Sequence, residues 1–254
     1  MCYKEFKNFF NSIYEFSSDE NLEIYLVGGF LRDWFINNEF RSNDVDFAVK
    51  GDAKNLVNKF IKEYGGKVTE FKSFLTSKIS DIPSLNIINQ IDFAGLRKEV
   101  YEKDGAFPKV ESTDDILEDL KRRDYSINTL AIKLKDFLKS FNDDTKNLDK
   151  GLLSKFIINS QKGLEDLENR VLRVLHFRSF YDDPTRILRG YRYKYKINGD
   201  FDNDTKELLK DAKDKKLLNN ISKSRILKEI EKIRNEQNAE LILQDFESFF
   251  GAVI

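Results

Sequence analysis

IYLVGGFLRDWFINNEFRSNDVDFAVK, residues 24–50, is the stretch from which the fold can be read. It opens as an apolar strand, IYLV, turns at Gly28-Gly29, and starts a helical pattern at about Phe30. Glycines at such a turn let a ligand approach the backbone closely, and the N–H groups of the following helix attract phosphate. Further along, NDVDFAVK alternates. Val45, Phe47 and Val49 fall on one face of a strand, and Asp44, Asp46 and Ala48 on the other. Two carboxylates on one face repel each other unless a divalent cation sits between them. Mg²⁺ suits that position, since it binds one or two carboxylates together with substrate phosphate oxygens. A D-x-D pair alone also describes an ordinary solvated edge strand, and a glycine turn alone is a common structural device. The close spacing of the two motifs is what favours a nucleotide site.

The same patterning continues outward. VDFAV followed by AKNLVNKFIKEY reads as strand and then helix, so the first half is a mixed α/β domain. NIINQIDFA supplies another strand. On it Asp92 shares a face with Ile88, Gln90 and Ala94, opposite Ile91 and Phe93, as a third carboxylate for a two-metal site. The polar stretch from Gly95 to Thr113, with Gly105 and Pro108, reads as a long loop before a helix capped near Asp114. Lys135 to Gly151 reads as a surface hairpin or an insertion, and from about Leu164 onward the spacing is helical. A boundary near residue 160 divides the chain into 1–160 and 161–254.

With 254 residues, 40% hydrophobic and 34% charged, the chain has the composition of a globular, largely helical protein. No apolar run approaches the ~18 residues of a membrane span, and the N-terminus MCYKEFKNFF lacks the pattern of a secretion signal, so a cytoplasmic location is expected. The lone Cys2 and lone His176 exclude an internal disulfide and a zinc site, leaving oxygen ligands for any metal. The net charge of −1 conceals a local bias. Between Arg170 and Lys196 there are eight basic residues against Asp182 and Asp183, with Phe177, Phe180, Tyr181, Tyr191, Tyr193 and Tyr195 interleaved. The plain reading is a helix with a solvated basic face and an aromatic core face.

Seven blocks, in order, make the chain recognisable. They are VGGFLRD (27–33), NDVDFAV (43–49), IDFAGLRKEVY (91–101), LKRRDYSINTLAI (120–132), GLEDLENRVLRVLH (163–176), DDPTRILRGYRY (182–193) and SKSRILKEI (222–230). Together they resemble the class II tRNA nucleotidyltransferases (CCA-adding enzymes) and bacterial poly(A) polymerases of the polymerase-β-like superfamily. The resemblance implies an α+β protein: a mixed-sheet nucleotidyltransferase head, then an all-helical neck and a truncated body. It implies that Asp44 and Asp46 bind Mg²⁺, with Mn²⁺ as a substitute, and that Asp92 completes the catalytic carboxylates. Gly28, Gly29 and Arg32 would hold the triphosphate, with Asp33 bracing the turn. Arg122, Arg123 and Asp124, backed by Asn128, match the block that orients ribose and triphosphate, and Asp183 and Arg186 match the pair that recognises the base.

The base-reading role also makes chemical sense. A helix starting near Pro184 puts Arg186, Arg189, Tyr193 and Lys196 on one face and Ile187, Leu188, Tyr191 and Tyr195 on the other, so that one face reads and one packs. Arg189 is counted among the nucleotide-binding residues on this basis. A carboxylate accepts from the exocyclic amine of cytosine or adenine, and a guanidinium donates to the neighbouring ring nitrogen. An ordinary ion pair at a helix start is the alternative for this pair.

The implied activity is template-independent addition of CMP and/or AMP, from CTP and ATP, to the 3′ end of tRNA, with no membrane partner. Poly(A) polymerase, A-only and CC-only addition are the alternatives, and a non-catalytic RNA-binding subunit is the reading from another class. No basic GRRF signature follows the D-x-D strand, where YGGKVTEFKSFLTSKI stands instead, which ranks poly(A) addition second. The long segment from Leu96 to Thr113 favours retention of A addition. His176 is expected to be dispensable for chemistry. Tyr125-Ser126 stand where the family commonly has Phe-Thr, Asn159 stands where many members have Asp, and the chain stops soon after the SKSRILKEI block, as a truncated or naturally short member would.

Overall fold

In the computed structural model, residues 3–40 and 42–251 are described, so Cys2 lies outside the described residues. The chain forms two compact units. The first comprises residues 1–98, 110–122 and 128–160, and the second residues 99–109, 123–127 and 161–254. The last change of unit therefore falls between Ser160 and Gln161, and two short segments upstream of it belong to the second unit.

The first unit begins with α1 (Tyr3–Asp19), β1 (Glu23–Val27), α2 (Gly29–Asn37), β2 (Asp44–Lys50), α3 (Lys54–Tyr64), β3 (Lys67–Phe71), β4 (Thr76–Ser80) and β5 (Gln90–Gly95). A hairpin of β6 (Arg97–Val100) and β7 (Lys109–Ser112) follows. Then come α4 (Ile116–Lys121), β8 (Leu130–Lys133), α5 (Leu134–Lys139), β9 (Phe141–Asn142), β10 (Asn147–Leu148), α6 (Lys150–Phe156) and β11 (Ile158–Asn159). Seven strands form one sheet in the order β11-β8-β1-β2-β5-β4-β3. Within it β2 and β5 run parallel and the other pairs antiparallel. Parallel neighbours need a crossover, and α3, β3 and β4 provide it.

Amphipathic α1 explains how one face of this sheet is covered. Phe6, Phe9, Phe10 and Ile13 recur at helical spacing and are buried. Phe10 packs edge-on against Phe30, Phe47 and Phe137 with ring centroids 5.4, 6.2 and 4.7 Å away. Each such side chain contributes about 1.5–3 kcal/mol by leaving water. Val45, Phe47 and Val49, buried as the alternation predicts, face this aromatic layer. Asp44 and Asp46 therefore lie on the opposite face.

Two stretches differ from the sequence reading. The long loop expected from Gly95 to Thr113 contains a paired hairpin, because R-K-E-V and K-V-E-S are both extended and flank a turn at Gly105. The helix after it is capped near Asp114 as expected, by Asp115, whose carboxylate accepts from the Leu117 N–H at 2.9 Å. Lys135 to Gly151 does contain a hairpin, but it follows α5, whose Phe137 is wholly buried. The turn of that hairpin, residues 143–146, is exposed as a surface hairpin requires, while Phe137, Ser140 and Leu148 anchor the stretch in the core.

The second unit continues with α7 (Gly163–Glu168), β12 (Val171–Leu172), α8 (Ser179–Asp182), α9 (Thr185–Lys196), β13 (Asp200–Phe201), α10 (Asn203–Asp214), α11 (Lys223–Arg234) and α12 (Ala239–Phe250). Helix α9 packs against α11 and α12. Ile187, Leu188, Tyr191, Ile230, Ile233 and Phe246 are buried in this unit. Gly190 is obligatory here, since a Cβ at that position would lie 2.0 Å from the Tyr125 hydroxyl and 2.9 Å from Phe201. Among the described residues no helix is long and apolar enough to cross a membrane.

Candidate active site

In the first unit the parallel pairing of β2 with β5 sets Asp44 level with Gln90 and Asp46 level with Asp92. Neighbouring strands are ~4.8 Å apart, so the Asp46 and Asp92 carboxylates leave the sheet side by side. Asp44 is exposed, and Asp46 and Asp92 are half-buried. Burial, and after it the negative charge of Asp46, raises the pKa of Asp92 from 3.8 to about 6. The Lys78 ammonium, 4.0 Å away on β4, opposes that shift, as does a 3.2 Å hydrogen bond donated by the Gln90 amide. Three oxygen donors on one face, with one carboxylate destabilised in its charged form, fit a hard divalent cation. Among the described residues no three acidic, His or Cys side chains form a ready-made cage. Substrate phosphate and water oxygens would complete the coordination.

Gly28 closes the adjoining turn with φ +71° and ψ −126°, a conformation open to glycine alone, and its N–H donates to the Leu130 carbonyl at 2.9 Å. One turn into α2, Arg32 is buried and fixed from two sides. Its Nε donates to Asp33 Oδ1 at 2.8 Å and its Nη1 to Asn128 Oδ1 at 2.6 Å. Asp33 and Asn128 thus orient the guanidinium expected to meet the triphosphate. Arg122 is held in a comparable way by Asp119, whose side chain is 1% exposed. Asp119 Oδ1 accepts from Arg122 Nε at 2.9 Å and from the Arg97 backbone N–H at 3.2 Å. Of the residues assigned from sequence, Asp44, Asp46, Asp92, Gly28, Gly29, Arg32, Arg122 and Asn128 lie in this unit.

Arg123, Asp124, Asp183, Arg186 and Arg189 lie in the second unit. Asp183 ends α8 in an extended conformation, and α9 starts two residues later behind Pro184. Asp183 Oδ1 accepts from the Thr185 N–H at 3.0 Å, the Thr185 hydroxyl at 2.6 Å and Arg225 Nη2 at 2.8 Å. Arg186 is 3% exposed, donates to Ser179 Oγ at 2.9 Å and lies over the Tyr101 ring at 6.0 Å. The face of α9 expected to read is therefore itself largely packed. Arg186 is buried, Tyr193 stands edge-on to Tyr125 at 5.9 Å, and Arg189 forms a 2.6 Å ion pair with buried Asp124. Tyr195, placed on the packing face from the sequence, is only half-buried. A helix with neighbours on several sides has no single solvent stripe.

The structure adds residues that the sequence reading left unassigned: Lys78, Asp119, Tyr125 and Arg225. Alternation in TSKIS would have put Lys78 on the carboxylate face. Asp119 stands at i,i+3 spacing to Arg122 but also accepts from the distant Arg97 N–H, and Tyr125 and Arg225 act through long-range bonds that no local pattern contains. The Tyr125 hydroxyl, an addition relative to phenylalanine, donates to the Arg186 carbonyl at 2.9 Å and ties the segment after Asp124 to α9 within this unit.

Residues 24–173 match the poly A polymerase head domain, a span that takes in the glycine turn, all three strand carboxylates and the RRD block. The chain belongs to the poly(A) polymerase head-domain family. An A-adding tRNA nucleotidyltransferase of Aquifex aeolicus is 35% identical over 229 residues, covering 90% of this chain and 25% of that protein. A solved CCA-adding enzyme in an apo form superposes with a TM-score of 0.76 at 31% identity, covering 97% of this chain and 53% of that one. A tRNA nucleotidyltransferase solved with a primer tRNA and an incoming ATP analogue gives a TM-score of 0.72 at 30% identity, with 93% and 60% covered. The chain thus spans between a quarter and three-fifths of the relatives' length. Asp183 and Arg186 lie beyond the head-domain match itself.

Proposed function

We propose that this chain carries the nucleotide-adding part of a tRNA nucleotidyltransferase, transferring CMP and/or AMP from CTP and ATP to the 3′ end of tRNA. The observation that carries this reading is the level placement of Asp46 and Asp92 on parallel strands, with Asp44 two residues away on the same face. In this reading Asp44 and Asp46 hold Mg²⁺, and Asp92 adds its charge beside them. Bound there, the metal supplies a lowered pKa for the attacking 3′-hydroxyl and neutralisation of the leaving pyrophosphate. Arg32, fixed by Asp33 and Asn128, and Arg122, fixed by Asp119, hold triphosphate oxygens without having to reorganise. Asp183 has Oδ1 saturated by three donors, which leaves Oδ2 to accept from the amine of cytosine or adenine. Arg186 donates beside it.

A-only addition is the second reading, favoured by the 35% identity to an A-adding enzyme. The test is incubation of the purified chain and Mg²⁺ with tRNA transcripts ending before CCA or after CC, supplied with CTP, ATP or both. Extension of both transcripts to CCA supports full addition, whereas extension of the CC transcript alone by one AMP supports A-only addition. Long A tracts would assign the chain to poly(A) synthesis, and no extension with retained RNA binding would leave the non-catalytic subunit.

A further inference from the structure

The basic run from Arg170 to Lys196 is largely neutralised inside the second unit. Arg173 binds Asp166 and Asp202, Arg178 binds Asp104, Arg189 binds Asp124, Arg192 binds Glu236, and Lys194 binds Asp245. The same holds for several lysines on neighbouring helices: Lys206 with Asp200, Lys210 with Glu207, Lys215 with Asp211 and Lys232 with Glu229. An open cavity of about 530 Å³ between the end of α10 and the start of α11 is different. Lys213, Lys216 and Lys223 line it together with Asn219, over a floor that includes Ile221 and Phe250. No carboxylate lines it among the described residues. Lys213 lies 5.0 Å from the centre of the Phe249 ring, and among the described residues no carboxylate partner accompanies any of the three lysines.

The local backbone adds to this cationic character. Helix α11 carries no acidic residue in its first turn, and its Ser222 N-cap hydroxyl bonds Ser224 Oγ at 2.9 Å without capping a backbone N–H. A lysine at the positive end of a helix dipole is unfavourable unless an anion accompanies it. Lys216 is held at φ +53°, a left-handed conformation uncommon for lysine, which places a third cation at the rim.

We propose that this cavity binds backbone phosphate of the RNA substrate. Three uncompensated lysines, helix N–H groups and an adjoining aromatic surface match what single-stranded or helical RNA backbone presents, and such contacts hold RNA in place without reading sequence. The identity of the RNA rests on the transferase reading above, whereas the anion-binding surface rests on the lysines and the cavity.

The test is fluorescence anisotropy of a labelled tRNA lacking CCA, titrated with the chain at salt concentrations from about 50 to about 200 mM. K213A/K216A/K223A should weaken binding at least about tenfold and lower the slope of log affinity against log salt by about 2, as loss of three phosphate contacts requires. The arginine triple variant, K213R/K216R/K223R, should keep both. The control K206A/K210A/K232A removes the same charge from paired positions and should change the slope by less than about 0.5. ATP binding and thermal midpoint should be alike in all four proteins. An unchanged slope in the alanine triple variant, or an equal fall in the control, overturns the proposal. So would competition by millimolar inorganic phosphate that matches the effect of the triple variant, since the cavity would then be a small-anion site. Anisotropy needs no catalysis, so failure of nucleotide transfer in the wild-type chain is read separately from failure of this surface.

Discussion

Asp46 sits on a strand and Asp183 at the start of a helix, and the two carboxylates are held in place by different means. Asp46 is aimed by strand alternation and by the register of β2 with β5, both of which follow from apolar residues on the opposite face. Asp183 is aimed by Thr185 and by Arg225, 42 positions along the chain. The first arrangement is built from strand alternation together with the pairing of two strands, and leaves charges crowded together. The second is built from tertiary bonds and leaves one oxygen open. A metal-binding role suits the first, because crowding favours a cation, and a base-reading role suits the second, because a single oriented acceptor discriminates between amines and carbonyls.

The largest effect is expected at the crowded end. Asp44→Asn or Asp46→Asn should lower single-nucleotide incorporation at least about a thousandfold, about 4 kcal/mol of transition-state stabilisation, with the thermal midpoint unchanged or slightly raised. Activity within about tenfold of wild type would remove both residues from the metal site. Next comes Asp119→Asn, which leaves Arg122 beside a neutral, buried partner and should cost about 3 kcal/mol in urea unfolding. Full stability in that variant would mean that Arg122 finds another anchor.

Gly190→Ala tests the tertiary end of the contrast. The added Cβ meets the Tyr125 hydroxyl at 2.0 Å, so a loss of about 2–3 kcal/mol is expected by denaturant titration, and Tyr125→Phe in the same background should recover part of it. No recovery would show that the clash with Phe201 dominates. Asp183→Asn should raise UTP use relative to CTP and ATP by about tenfold, within the 1–3 kcal/mol expected for mispaired polar groups, when all four triphosphates are compared on one primer. An unchanged preference would make Asp183 a structural partner of Arg225.

The smallest effect concerns His176. Burial, and after it the positive charge of Arg186, lowers its pKa below 6.5 in the folded chain. The unfolded chain therefore binds the proton more readily, so the contribution of His176 to stability is present above about pH 6.5 and declines as pH falls through that value toward the folded pKa. Burial moves Asp182, 3.9 Å away, upward from 3.8, which acts in the opposite sense nearer the carboxylate range. His176→Gln should flatten the fall in urea midpoint between pH 7.5 and pH 5.5 (about one unit either side of the unperturbed histidine value) and keep incorporation within about tenfold of wild type. A thousandfold loss of rate would instead give His176 a chemical role.

What the sequence alone determined follows from short-range periodicity. Alternation over residues 44–49 and 90–94 placed the carboxylates on one strand face, and the glycine pair located the turn before α2. Apolar spacing in α3 and α9 marked those helices, whereas α1 became evident only in the structure, and the ordered blocks led to the family. These features depend on dihedral geometry within a few residues, so they are written locally. The tertiary structure decided which charges are already partnered. The arginines of the 170–196 run look available in sequence, yet Asp166, Asp202, Asp104, Asp124 and Glu236 neutralise several of them, while Lys213, Lys216 and Lys223, unremarkable in sequence, line a cavity that has no carboxylate among the described residues. Charge pairing acts across whatever residues the fold brings within about 4 Å, and that distance is set by packing of elements far apart in the chain rather than by their order along it.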